Sequence, residues 1–516
     1  MRHFAIAVAV VVAGCGDHHN KPPADADACA DLDCSSLTDQ CGVGTCIDGN
    51  CVRMPVTDGT VCDDGNACSL NDTCVAGTCG GIDRARCGEP ACSLASTCAV
   101  ADADGDGLND AWETAGYVDL NCNGVDDGPA VDIELTGASP TEKDIFVYYN
   151  YMVPTPAAHT HQPPAAALDQ VVAAFAKHGV HLHFVDGGPI AETTVTTLDT
   201  APTTACAGTS VSTMHDLRAA NFGNRQPAYH YMVFAHRAAT PDAGHAAACT
   251  TDPVCLSLPN PDATGLADVP GDDAIVSFGA IIEAGATIEP FLVASTVMHE
   301  LGHNLGLKHG GGDACVLSKP NYISVMNRDT YQLNAIPVAD APGSTNIRTC
   351  GVEADCEPPT ITTGPCSVAD ACHCTTGQTA VLGFDYCYRV DYSRGNLIAL
   401  DEVMLDETIG VGGPANDEDI VLFWVGGVQS FGASNGAAID WNNDASIQTS
   451  GSADINNDNS KTLLTTQDDW AVLALPFQCT ASFGAPGSPN AIGERSPLRT
   501  RLVGGQHQGI RGARHR

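Results

Sequence analysis

The sequence predicts an α/β (α+β) domain with a twisted mixed sheet and one long functional helix. A small disulfide-rich module precedes it and a β-rich C-terminal region follows. Three observations predict this. Apolar strand-like runs alternate with helical periodicity from residue 143 to residue 304. Twelve cysteines crowd between Cys29 and Cys98, where aromatic residues are almost lacking. Beyond residue 411, runs such as "DIVLFWVGG" sit among Asp- and Asn-rich turns.

In chain order, "KDIFVYYNYM" (143–152) is rich in β-branched and aromatic residues and reads as a strand. "AALDQVVAAFAKHG" (166–179) has apolar residues at helical spacing and ends on a glycine. "VHLHFVD" (180–186), "YHYMVFAHR" (229–237) and "GDDAIVSFG" (271–279) read as further strands. "TIEPFLVASTVMHELGHNLG" reads as a helix with Pro290 in its first turn, where a missing N–H costs nothing.

The chain has 516 residues, 62 acidic against 23 basic, and a net charge of −39. That excludes nucleic acid as a partner, because binding a polyanion needs clustered Lys and Arg. The N-terminus, "MRHFAIAVAVVVAGCG", carries an apolar run from Phe4 to Val12 that is too short to span a bilayer. Its end, Val12-Ala13-Gly14-Cys15, resembles a bacterial lipobox. The resemblance implies a lipoprotein signal peptide over 1–14 and a lipid on Cys15, with 15–28 as a polar tether. The protein would then be exported to the cell envelope, its membrane contact made through the lipid anchor. Of 25 cysteines, setting Cys15 aside leaves 25 − 1 = 24, an even number that suits a disulfide framework in an oxidising compartment. Residues 29–98 cannot build an apolar core and need such staples. "CGVGTCIDGNC" and "CSLNDTCVAGTC" within them suggest two small repeated knots.

"DADGDGLNDAWE" (102–113) places Asp102, Asp104, Asp106, Leu108 (through its carbonyl), Asp110 and Glu113 at positions 1, 3, 5, 7, 9 and 12, with Gly107 at position 6. This is the spacing of an EF-hand-type calcium loop, whose oxygen donors must surround one hard cation. "DLNCNGVDDGPA" (119–130) starts similarly but has Ala130 where the bidentate Glu belongs. Later, Asp440, Asn442 and Asp444, then Asp454, Asn456 and Asp458, repeat the opening of such a loop without its closing carboxylate. Asn/Asp-rich turns explain these equally well.

"HELGHNLGLKH" (299–309) carries the chemistry. His299 and His303 are four apart on a helix, so both imidazoles can grip one ion. Glu300 lies one residue past the first ligand, where its carboxylate can reach a metal-bound water. Gly306 can end the helix in a left-handed conformation, letting His309 supply a third nitrogen. The extended motif H-E-x-x-H-x-x-G-x-x-H resembles that of the metzincin metalloproteases. In "NYISVMNR", Met326 matches that family's Met-turn. The resemblance covers roughly residues 143–410. It implies a catalytic zinc on His299, His303 and His309, Glu300 as general base, and 271–279 as the edge strand lining a peptide-binding cleft. Some metzincins place a Tyr two residues after the Met; this chain has Arg328 there and Tyr331 further on. The pairs His159/His161 and His181/His183 read as surface or packed histidines, and "CHC" (372–374) as disulfide partners.

The expected organisation is therefore 1–14 signal peptide, 15–28 tether, 29–98 Cys-rich module and 99–135 calcium-loop region. After these come 136–410 as the catalytic domain, 411–484 as the β-rich region and 485–516 as a basic, disordered tail. The expected function is a lipid-anchored zinc endopeptidase acting on proteins or peptides, with structural calcium. The alternative is a surface adhesion or binding lipoprotein whose zinc is structural.

Overall fold

The computed structural model describes residues 34–47, 50–57, 60–62, 69–83, 102–120, 125–155, 159–198, 210–239, 263–283, 288–312, 316–332, 335–350, 373–375, 385–475 and 492–493. Cys15, the signal peptide and the tether lie outside them. The chain divides into two compact units, Met1–Asp83 and Arg84–Arg516.

In the first unit two antiparallel hairpins follow one another. β1 (Gly42–Ile47) pairs with β2 (Asn50–Pro55), and β3 (Ser69–Val75) with β4 (Thr78–Asp83). Cys46 faces Cys51 in one hairpin as Cys74 faces Cys79 in the other. Disulfides Cys34–Cys51 and Cys62–Cys79 each span 17 residues, and Cys41–Cys74 ties the hairpins together. Buried cysteine replaces the apolar core that so small a module cannot form.

The second unit is mixed α/β. It opens with the short helix α1 (Asp110–Ala115), capped by the Asn109 side chain on Ala111 N–H. Its sheet contains β5 (Lys143–Val153), β6 (Val180–Ala191), β7 (Tyr229–Ala235), β8 (Gly265–Ala267) and β9 (Asp273–Ser277). Helix α2 (Ala165–Lys177) crosses from β5 to β6, α3 (Met214–Asn221) precedes β7, α4 (Gly279–Glu283) follows β9, and the long α5 spans Pro290–Asn304. A further strand, β10 (Ile420–Val425), pairs with β11 (Val428–Ala433) as a hairpin, and β12 is Ile492–Gly493.

The sheet order is β12-β8-β9-β7-β5-β6. β6, β5, β7 and β9 are parallel, whereas β8 runs antiparallel to both β9 and β12. Two faces are covered. Ile145, Val147 and Tyr149 point toward α2 and α5, while Phe146, Tyr148 and Met152 point to a second core with Tyr231, Leu266 and Met214. Burial on both faces explains why β5 and β7 are almost continuously apolar. Among the described residues no helix is long and apolar enough to cross a membrane.

One expectation is corrected. Residues 271–279 do not form the edge: β9 is buried along its length, and the antiparallel β8 covers its free side. Three residues, "GLA", are too few to show strand periodicity. Within the segment 485–516, Ile492 and Gly493 are the described residues, and they form β12 of the sheet. The boundary expected at 410 also runs through one shared core. There Ile323, Tyr331 and Ile336 pack with Leu405, Ile420, Trp441 and Ile455.

Candidate metal centres

Helix α5 buries every residue from Phe291 to Asn304, so its histidines are held in a dry, packed environment. Gly306 adopts φ +90° and its N–H donates to the His303 carbonyl at 2.8 Å, turning the chain back as expected. His309 is thereby brought to the helix, with its Nε2 3.0 Å from His303 Nε2. Ligand atoms of His299, His303 and His309 lie within 4.8 Å of one another.

The tautomers follow from the backbone. His299 Nδ1–H donates to the Val325 carbonyl at 2.7 Å and His303 Nδ1–H to the Leu307 carbonyl at 2.8 Å. Each ring's Nε2 is therefore a lone-pair donor, which is what a transition-metal site requires. His303 Nε2 and His309 Nε2, 3.0 Å apart, are close enough to reach one cation between them. The donor set thus suits zinc.

Val325 belongs to the turn that carries Met326. Asn327 N–H donates to the Ser324 carbonyl at 2.9 Å and closes it. Met326 lies against the helix at Gly302, where an added Cβ would sit 2.5 Å from its sulfur. Buried Asp469 braces this turn, accepting from the Ser324 hydroxyl at 2.7 Å and the Tyr322 hydroxyl at 2.9 Å. Burial pushes the Asp469 carboxyl up to about 6. Glu300 is fully buried and rests against β8, where a Cβ on Gly265 would fall 2.0 Å from its Oε1. Tyr331 is buried elsewhere, its hydroxyl donating to the Ile420 carbonyl at 3.1 Å, so it is a packing residue.

The loop at 102–113 closes on itself. Asp102 accepts from Gly105 N–H at 2.7 Å, Asp106 N–H at 3.3 Å and Gly107 N–H at 3.0 Å. Asp106 accepts from Leu108 N–H at 2.7 Å, and Asp110 from Ala103 N–H at 2.8 Å. Gly107 has φ +95°, which requires glycine. Among the described residues, both carboxylate oxygens of Asp104 and of Glu113 are buried without a hydrogen-bond partner. Burial, reinforced by the neighbouring aspartates, lifts Glu113 to about 8 and Asp106 to about 6. Buried, mutually repelling carboxylates of this kind fit a cation between them.

The later loops share that framework. Asp440 accepts from Asp444 and Ala445 N–H at 3.2 and 2.8 Å; Asp454 accepts from Asp458 and Asn459 N–H at 3.2 and 2.9 Å. Each meets a buried glutamate from upstream: Glu407 accepts from Trp441 N–H at 3.1 Å, and Glu402 from Ile455 N–H at 2.8 Å. Residues 121–124 of the second loop lie outside the described residues.

Sequence reasoning missed one grouping. His159 and His161, expected as surface or packed residues, meet Glu192 and His236, all ligand atoms within 4.8 Å. Nothing in local spacing links four residues on three separate chain segments. His183 is packed as expected, stacked on Phe146 with its Nε2 2.5 Å from Asp144. Cys374 of "CHC" is in a disulfide with Cys350.

Comparison of the sequence with protein-family models and with curated proteins finds no match.

Proposed function

We propose that the chain is an exported, lipid-anchored zinc endopeptidase of metzincin type. His299, His303 and His309 hold the metal, and Glu300 is the general base. One observation carries this reading. Three buried histidines converge beside a buried carboxylate on the same helix, a group that a purely structural zinc site does not need. When bound, zinc on neutral imidazoles lowers the pKa of a water to about 7 and serves as a Lewis acid. Glu300 accepts the proton of the attacking water and returns it to the leaving amine. The Val325 and Leu307 carbonyls hold two imidazoles in the required tautomer. Met326 under Gly302 supports the helix from below.

Strand β8 lies beside Glu300, and an extended peptide would pair with it in place of β12, the strand that occupies its outer side. Asp102, Asp104, Asp106, Leu108, Asp110 and Glu113 would hold calcium, stiffening the entry to β5 through Asp106 and the Asp144 N–H at 2.6 Å.

The test is cleavage of unfolded casein by the full-length chain and by Glu300→Gln, with zinc measured in both. The expected result is that both hold equal zinc and only the wild type cuts. If both hold zinc and neither cuts casein or a peptide library, the protein is a surface binding lipoprotein with a structural metal.

A further inference from the structure

The parallel strands β5, β6 and β7 end side by side; Glu192 and His236 follow directly from the ends of β6 and β7, and His159 and His161 come from the segment after β5. Backbone bonds fix two of them: His161 N–H donates to the Met152 carbonyl at 3.1 Å, and Glu192 N–H to the Val153 carbonyl at 3.2 Å. The His236 carbonyl accepts from Gly279 N–H at 2.7 Å, and a Cβ at Gly279 would collide with it at 2.2 Å.

The side-chain atoms converge on one point. His159 Nε2 and His161 Nε2 are 3.1 Å apart, and each is 3.0 or 2.9 Å from Glu192 Oε2. His236 Nδ1 is 3.1 Å from His161 Nε2 and 3.7 Å from Glu192 Oε2. A tetrahedron with metal–ligand legs of about 2.0–2.1 Å has edges of roughly 3.3–3.4 Å, and these separations bracket that value.

A hydrogen-bond network does not account for the grouping. His161 Nε2 has three neighbours within 3.1 Å, yet a ring nitrogen carries one hydrogen or one lone pair. His236 Nε2 meets the Glu283 carboxylate at 2.8 Å. A carboxylate only accepts, so Nε2 bears the hydrogen and Nδ1 presents its lone pair to the cluster. This carboxylate–histidine arrangement is how metal ligands are oriented from behind. Arg237 in turn pairs with Glu283.

We propose that His159, His161, Glu192 and His236 form a second metal site, a closed four-ligand zinc site that clasps the loop after β5 to the ends of β6 and β7. Three nitrogens and one carboxylate oxygen suit zinc, and four protein ligands leave no position for substrate, so its role is structural.

The experiment uses the full-length chain carrying His303→Ala and His309→Ala, which removes the other histidine centre. Metal content is read by mass spectrometry after dialysis against buffered Zn2+, and coordination by the absorption spectrum with Co2+ in its place. The expected result is one zinc per chain, a four-coordinate cobalt spectrum without thiolate charge transfer, and a melting temperature that rises with zinc. Adding Glu192→Gln, which preserves shape and polarity, should abolish all three while the circular dichroism spectrum is kept. A chain with no zinc and no zinc-dependent rise would overturn the proposal. So would one whose zinc survives Glu192→Gln, or whose cobalt spectrum shows thiolate bands.

Discussion

The two histidine clusters reach similar ligand spacing by opposite routes. The centre at 299–309 is built locally: one helix, one left-handed glycine and one short return place three imidazoles together. The cluster at His159, His161, Glu192 and His236 is built by topology, from loops at the ends of three parallel strands. Only the first has a buried carboxylate on the ligand helix, Glu300 against Gly265. The second has four potential ligands and a carboxylate behind one of them, Glu283. On the proposed readings, donor number and the placing of the extra carboxylate are what separate a reactive centre from a clasp.

Changes at Glu300 break that contrast most sharply. Glu300→Gln should lower peptide hydrolysis by about 10²–10⁴-fold with zinc content unchanged, since a positioned base contributes on that order. Glu192→Gln should lose metal and stability with a far smaller effect on the rate per folded molecule. Casein hydrolysis and thermal melts on the same preparations check both.

Gly265→Ala comes next. Its Cβ would occupy the space of the Glu300 carboxylate, and displacing a reacting group by about 1 Å costs on the order of a hundredfold in rate. A Gly302→Ala change presses on Met326 instead, and should cost about 1–3 kcal/mol of stability by overpacking, measured by denaturant unfolding.

Much of the first centre was legible because its ligands are close in sequence. The spacing pointed to the helix, Gly306 and His309, and the metzincin resemblance to Met326. It could not give Gly265 or Asp469, because a missing Cβ and a carboxylate more than a hundred residues downstream act through tertiary packing. The strands β5, β6, β7 and β9 were visible from β-rich apolar runs, whereas β8 and β12 are too short to carry a pattern. The acidic loops show the same limit. Glu113 closes the loop 102–113 within its own sequence register, while Glu402 and Glu407 reach the loops at 454 and 440 from another part of the chain.

Asp469→Asn removes the brace of the Met326 turn and should cost about 1–3 kcal/mol, the range for unsatisfied buried partners. The sign with pH is set by burial. Folding raises this carboxyl from 3.8 to about 6, so its contribution to stability falls as pH rises from about 4 to 6 and is flat above. The variant's deficit relative to wild type should therefore be larger at pH 4.5 than at pH 7, by thermal melts.

The smallest effect is expected at the calcium loop. Without calcium, Glu113 is raised to about 8, so the chain should gain stability as pH falls from 8 toward 5. Calcium binds the ionised form, so adding it should raise the melting temperature more at pH 8 than at pH 5. A calcium effect that does not depend on pH would count against Glu113 as a ligand.

The central claim is that His299, His303 and His309 form the metal centre. Its most direct test is an anomalous difference map from crystals of the full-length chain, measured on either side of the zinc absorption edge. A zinc peak is expected among the three imidazoles with Glu300 beside it, and a second peak at His159, His161, Glu192 and His236. No peak among His299, His303 and His309 in zinc-replete crystals would contradict it.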